Sequence, residues 1–406
     1  MNMKKIMIMA LMAVASINAF AGDSDALKAI KKCKDFNEAQ NLVLNSLGQL
    51  ADNAEKAAAY NKLVDLAMEK FTKESTTVTE NQLAKQMGQQ EKAVDQDGMN
   101  EAAYNAVIAA LECDKYDQQP NAKGKVAPKF ASKNAQRVWQ ARTHLVNAGQ
   151  DALTAEKNAE ARKYWSAFVD ADGAPLFKDC DRTFQQPFFG QVARFVAIFA
   201  YQDKDMDSAL KYCDIAMKDP QEAENALNLK LEVLGSELKS KDDSVKYLNN
   251  VKALQEQNPD NATLLEKTYN MYMSLGEKAQ ALSFLDGVLA KNPQNFVALA
   301  DKGMYYMDQD NAAEAAKMFQ QALSVKPDNA VVHYYYAVCV RAQAQAFSES
   351  DPAKFKTMME EAIKHFDKTK ELDPDKTINW GYNRYSAYSQ LYGENDARTK
   401  AAEADR

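Results

Sequence analysis

The stretch FVALADKGMYYMDQDNAAEAAKMFQQALSVKP, residues 296–327, decides the fold. With Phe296 as place 1, Leu299, Gly303 and Tyr306 mark one face of a first helix, and Ala315, Phe319 and Ala322 one face of a second. Spacings of three and four residues bring side chains onto a common helix face. Gly303, Ala315 and Ala322 are small, so two such helices can approach closely while the bulky residues fill the grooves beside them. Pro327 ends the second helix because it lacks the N–H that another turn needs.

The pattern recurs on both sides. Pro259, Pro293 and Pro327 stand 34 residues apart. The preceding block begins at Ala262 and has Leu265, Tyr272, Ala281, Leu285 and Val288 at the corresponding places, with Tyr269 where the small residue belongs. Gly276 falls between its helices and suits a left-handed C-terminal cap. Each proline opens the same turn: Pro259-Asp260-Asn261, Pro293-Gln294-Asn295 and Pro327-Asp328-Asn329. The Asn is placed to cap the next helix by accepting a backbone N–H.

This period and residue pattern resembles the tetratricopeptide repeat. The resemblance implies an all-α fold, an α-solenoid of antiparallel helix pairs in which each repeat packs on its neighbours. The clearest repeats are 262–295, 296–329 and 330–376, within an array expected over 133–406. Pro327 to Pro374 is 47 residues, with Ala337, Ala362 and Phe366 at repeat places once the extra length is allowed. Asp351-Pro352 inside it reads as a capped helix start, so both helices of that block are expected to be lengthened. Pro220 to Pro259 is stretched to 39 residues, and the block from Phe189 to Pro220 fits more loosely, through Phe199, Tyr212 and Ile215. Trp380 falls at the bulky place of a further first helix, and the charged residues 394–406 suit a solvent-facing end cap.

The N-terminal half is helical but less regular. Residues 22–116 form a helical region in which 35–47 resembles a degenerate second helix. Residues 54–71 form an amphipathic helix, with Tyr60, Leu63, Leu66 and Ala67 on one face, and 99–113 another helix. Residues 117–132 hold two prolines and a glycine and read as a loop or linker, with Lys123, Lys125, Lys129 and Lys133 near its end. Residues 134–153 and 158–170, bearing Trp139 and Trp165, read as a helical pair.

The first 21 residues read as an export signal: Lys4 and Lys5, an apolar run over 6–17, and Ala19-Phe20-Ala21 before Gly22. The apolar run is shorter than the ~20 residues a bilayer span needs. No Cys follows the expected cut, which argues against a lipid anchor. The chain as a whole resembles exported, periplasmic repeat proteins of Gram-negative bacteria. Without Lys4 and Lys5 there are 48 basic against 57 acidic side chains. That balance repels phosphate backbones and makes nucleic acid a poor partner. The five cysteines, Cys33, Cys113, Cys180, Cys213 and Cys339, have no paired spacing of a redox or zinc motif and read chiefly as small buried residues. His144, His333 and His365 are scattered.

No catalytic, phosphate-loop or dinucleotide motif occurs, so no enzyme, cofactor or metal is expected. Asp203, Asp205 and Asp207 alternate as in a calcium loop, but Ser208 and Asp214 stand where Gly and Glu are needed. A helix-capping turn with Asp207 as the cap is the better reading.

In the repeat family, places 2, 5, 6, 9, 12 and 13 of each first helix tend to face a ligand. The resemblance therefore implies a partner-binding groove lined by Glu266, Asn270, Met273, Met304, Met307, Tyr334, Tyr335, Arg341, Tyr382, Tyr385 and Tyr388. Aromatic, Met and Arg side chains dominate binding hot spots. Equally, these side chains could pack against neighbouring helices or the C-terminal tail. The Lys/Asn clamp that some members use for a C-terminal carboxylate is missing, because the fifth places hold Glu266, Ala300, Tyr334 and Gly381. The expected partner is a protein or peptide; the alternative is a glycan or nutrient stacked on the tyrosines. Homo-oligomerisation finds no support in the residues.

Overall fold

The structure, a computed structural model, describes residues 22–120 and 124–406, so the expected export signal lies outside the described residues. Among the described residues every regular element is helical. Two compact units divide between Val233 and Leu234. The first holds α1 (Asp25–Lys32), α2 (Phe36–Ser46), α3 (Asn53–Gln86), α4 (Gln96–Asp117), α5 (Ala131–Thr154), α6 (Asn158–Asp172), α7 (Phe189–Gln202), α8 (Met206–Ala216) and nearly all of α9 (Ala223–Gly235). The second holds α10 (Lys241–Gln257), α11 (Ala262–Ser274), α12 (Lys278–Lys291), α13 (Phe296–Asp308), α14 (Ala312–Val325), α15 (Ala330–Ala344), α16 (Pro352–Leu372), α17 (Gly381–Tyr392) and α18 (Ala397–Glu403). Residues 117–132 do not separate the units; they join α4 to α5 inside the first.

Four hairpins, two in each unit, share one main-chain device. After the first helix one residue takes a left-handed φ: Glu156 (60°), Lys204 (62°), Gly276 (76°) and Asp310 (53°). The next N–H then reaches back past the helix end: Lys157 to Ala152 O at 2.8 Å, and Asp205 to Ala200 O, Glu277 to Tyr272 O and Asn311 to Tyr306 O, each at 2.9 Å. This satisfies carbonyls that the helix end leaves unpaired.

These turns set a register. Seven residues before the turn residue and nine after it stand the pairs Gly149/Trp165, Ala197/Cys213, Tyr269/Leu285 and Gly303/Phe319. The α7–α8 hairpin therefore begins its count at Gly190, one residue later than the expected block from Phe189. Ala197, Ala200, Ala209, Cys213 and Ala216 are among its fully buried residues. The α5–α6 pair is a repeat too: a Cβ on Gly149 would stand 2.2 Å from Trp165 Nε1, the same close approach that Gly303 makes to Phe319.

The expected caps form. Asn261, Asn295 and Asn329 each accept a backbone N–H, from Leu264, Ala298 and Val332, at 3.0 Å. Asp351 caps α16 with Pro352 at its first turn. The extra length of the 330–376 block goes mostly into α16, 21 residues against 14 in α14. The cap of α8 is Asp205, not Asp207: its carboxylate accepts from Ser208 N at 3.2 Å. Arg162 pairs with both Asp203, at 2.7 Å, and Asp205, so these carboxylates are engaged within the chain.

Helix α3 continues well past Phe71, the last of its buried apolar residues. Polar contacts to the returning chain hold the rest: Glu74 accepts Asp95 N at 3.1 Å, and Asn81 exchanges two bonds with the backbone of Lys92 at 2.7 and 2.8 Å. Asp117 gathers the N–H groups of Lys129, Phe130 and Ala131 at 2.7 to 3.1 Å and so caps α5 from a distance. Arg142 is fully buried between the rings of Trp139 and Phe168. It donates to Phe168 O, Gln185 Oε1 and Asp172 Oδ1, which ties the α6–α7 connection to α5. Burial pulls its guanidinium down to about 10 against the pull of Asp172.

All five cysteines are free thiols, and four are buried. Burial pushes Cys113, Cys213 and Cys339 up to about 12, which makes them packing residues rather than nucleophiles. No helix among the described residues is long and apolar enough to cross a membrane.

Candidate functional site

The first helices of the second unit, α11, α13, α15 and α17, carry all the residues expected to line a groove. The fold sorts those residues into a packed end and an open end.

The packed end lies on α15 and α17. The Tyr334 and Tyr335 rings meet edge-on at 5.1 Å, Tyr335 stacks on Phe319 and Tyr334 abuts Phe366. The Tyr334 hydroxyl accepts from Asn383 Nδ2 at 2.7 Å. Arg341 donates to Ser386 Oγ and Asn383 Oδ1, both at 2.8 Å. Its guanidinium is lowered by burial. Tyr388 donates to Asp367 Oδ2 at 2.8 Å, and burial with that carboxylate pushes its hydroxyl up to about 12. Tyr382 is exposed, but the Arg406 guanidinium lies 5.5 Å from its ring and 5.4 Å from that of Tyr385.

The charged tail holds this end down rather than standing free in solvent. Asp405 pairs with Lys370 at 2.7 Å and Arg384 at 2.8 Å, and its carbonyl presses so closely on Gly381 that a Cβ there would stand 1.9 Å from it. The polar atoms of Tyr334, Arg341 and Tyr388 are thus engaged within the chain itself.

The open end lies on α11 and α13. Glu266 and Asn270 are exposed, while Met273, Met304 and Met307 are half-buried against the core between the repeats. Asp301 stands among them at place 6 of its repeat, a residue the groove expectation left out. Its Oδ2 is buried and has no hydrogen-bond partner in the chain. Burial first, then the charge of Glu266, pushes its carboxyl up to about 7. Tyr269, beside it, has its hydroxyl raised by its own burial and by Asp301. An unpaired buried carboxyl costs on the order of 1–3 kcal/mol, so its retention in an inward place marks it for attention. The signal that could have found it was the repeat register, which already counted place 6 as inward-facing.

The tetratricopeptide repeat family profile matches residues 146–223 and 300–350. The first span runs from α5 to the start of α9 and the second from α13 to the end of α15, and they fall on hairpins with the shared turn and close helix contact. Together with the helix pairs of both units, this supports a tetratricopeptide-repeat protein. No curated protein matches the chain. Among solved structures, the human IFIT1 dimer with m7Gppp-AAAA is similar at 15% identity, covering 93% of this chain and 75% of that one, with a TM-score of 0.36. A tetratricopeptide repeat protein from Parabacteroides merdae is similar at 18% identity, over 63% of this chain and 100% of that one, with a TM-score of 0.32. YrrB, described as having an unusual peptide-binding site, is similar at 14% identity over 51% of this chain and 97% of that one, with a TM-score of 0.29.

Proposed function

We propose that the chain is a non-enzymatic adaptor, exported to the periplasm, that holds a segment of another protein along α11 and α13. One observation carries this reading: an open, polar stretch of inward places, Glu266 and Asn270, beside the Asp301 carboxyl whose Oδ2 lacks a donor. A peptide N–H or ammonium group brought into that face supplies the missing donor, and the half-buried Met273, Met304 and Met307 adapt to apolar side chains on either side. The glycan alternative needs free aromatic faces. Tyr334, Tyr335 and Tyr388 are packed and Tyr382 lies beside Arg406, which favours a protein segment as the occupant.

A photocrosslinking residue at Asn270, in intact cells, is expected to capture a discrete protein partner. A control at the exposed Gln321 on α14 is expected to capture none. Glu266→Ala with Asp301→Ala is expected to cut the Asn270 adduct at least tenfold. Adducts at Gln321 but not at Asn270 would refute the groove. Export is checked separately: the mature chain is expected in the periplasmic fraction beginning at Gly22, and an uncleaved cytoplasmic chain would refute it.

A further inference from the structure

His333 on α15 and His365 on α16 place their Nδ1 atoms 2.7 Å apart, and His333 Nε2 stands 2.8 Å from the carbonyl oxygen of Pro327. A carbonyl only accepts, so His333 Nε2 carries a hydrogen. Its Nδ1 in the neutral ring is then a bare acceptor, and His365 must carry a hydrogen on Nδ1 and donate it. The contact fixes both tautomers. A proton added to His333 Nδ1 would set two N–H groups head to head and break it. The far nitrogen of His365 can take a proton without that clash, but only by burying the charge, because its ring is packed 4.5 Å from that of Tyr336.

We propose that this imidazole pair is an acid-sensitive latch between α15 and α16, holding the long hairpin of residues 330–372 closed while both rings are neutral and releasing it as they gain protons. Its consequence for binding rests on the groove reading above, because α15 packs beside the Phe319 and Met304 core of the neighbouring repeat. The charged groups around the pair do not replace the shared hydrogen bond. Asp328 stands in the turn before α15. Tyr336 on α15 is hydrogen-bonded to Glu361, and α16 adds Lys364, Lys368 and Glu371. Lys368 is paired with Glu371 at 2.8 Å and lies 3.9 Å from Asp328. Burial lowers both rings, and burial together with His333 takes His365 down to about 4. That lies below the ~6.5 of an unfolded histidine. The contribution of the latch is therefore complete above that value and is lost as pH falls toward 4.

Nitrogen-15 NMR of the histidine rings in the full chain at pH 7.5 is expected to find His333 as the Nε2–H tautomer and His365 as the Nδ1–H tautomer. Amide exchange at pH 7.5 and 5.0, corrected for intrinsic rates, is expected to show the opening constant of 330–372 rising roughly ten- to thirtyfold relative to 206–235, which hold no histidine. His365→Asn keeps a donor near the Nδ1 position and cannot titrate; there the rise is expected to shrink to about threefold or less. His365 found as the Nε2–H tautomer, or an undiminished rise in His365→Asn, overturns the latch. If both tests pass while crosslinking at Asn270 does not change with pH, the latch stands and its link to the groove falls.

Discussion

The repeats at 262–295 and 296–329 share their period, Asn cap and turn, yet they differ where their two helices cross. In the second, Gly303 lies against Phe319 so closely that a Cβ would stand 2.5 Å from the ring. In the first, Tyr269 faces Leu285, and α11 and α12 meet more loosely than α13 and α14. The bulky partner has moved from the second helix to the first. The contrast separates two determinants that a consensus pattern merges: turns and caps set the period, and one cross-helix pair sets how closely the helices approach. The first unit repeats the close form in Gly149 against Trp165.

The largest expected effect comes from converting one form toward the other. Tyr269→Gly removes a buried aromatic ring and places glycine within a helix, and should destabilise the second unit by about 3–5 kcal/mol. Adding Leu285→Phe rebuilds the Gly/Phe pair and should return about 1–3 kcal/mol, read from urea midpoints as a double-mutant cycle. In the mirror experiment, Gly303→Ala drives a methyl group into Phe319 and should cost about 1–3 kcal/mol, less about 1 kcal/mol of helix propensity. Purely additive Tyr269 and Leu285 effects would show that the pair is not what sets the spacing.

This pair also explains how far the chain could be read by eye. The 34-residue period was legible because proline and Asn recur with it, and both act locally, through a missing N–H and a side-chain cap. The α5–α6 pair was legible as two helices within the expected array, but its repeat register was not, because Gly173 stands where a closing proline would fall and nothing local marks Gly149 as a contact for Trp165. The α7–α8 register slipped by one because its bulky places hold Ala200 and Cys213, while the conspicuous aromatics Phe199 and Tyr212 stand one residue earlier. Helix α3 was cut short at Phe71 because its outer half is held by Glu74 and Asn81, which carry no periodic signal. The candidate site divides in the same way. Register put Tyr334, Arg341 and Tyr388 on first helices, but their partners Asn383, Ser386 and Asp367 come from other helices of the fold, which spacing along one helix does not show.

The two repeats also differ in charge at place 6, where the first has exposed Lys267 and the second has Asp301. The folded carboxyl, at about 7, lies above the ~3.9 of an unfolded aspartate. Its contribution to stability is therefore complete below that lower value and is lost as pH rises through 7. Asp301→Asn should stabilise the chain by about 1–2 kcal/mol at pH 8 and by almost nothing at pH 4, as thermal melts at both pH values would show. The same substitution should weaken capture of a partner at Asn270, so stability and binding move in opposite directions. If both fell together, Asp301 would be a structural residue and the groove would lose its anchor.

The smallest effect concerns the turn, where the two repeats solve one problem with different residues. Gly276 adopts φ 76° without a side chain to strain, while Asp310 holds φ 53° with one. Gly276→Ala should cost about 1 kcal/mol, because the left-handed region crowds a Cβ against the following carbonyl. Asp310→Gly should gain no more than about 0.5 kcal/mol, since the relief of strain is offset by the extra freedom glycine gives the unfolded chain. Lys204→Gly and Glu156→Gly, at the same turn in the first unit, should behave like Asp310→Gly, because all four turns make the same backward hydrogen bond. Four sites with one sign pattern would establish that the turn is a main-chain device common to both units, with glycine a convenience rather than a requirement. A large loss at Asp310 alone would instead mean that its side chain makes an interaction the neighbouring repeat lacks, and the equivalence of the two turns would fail there.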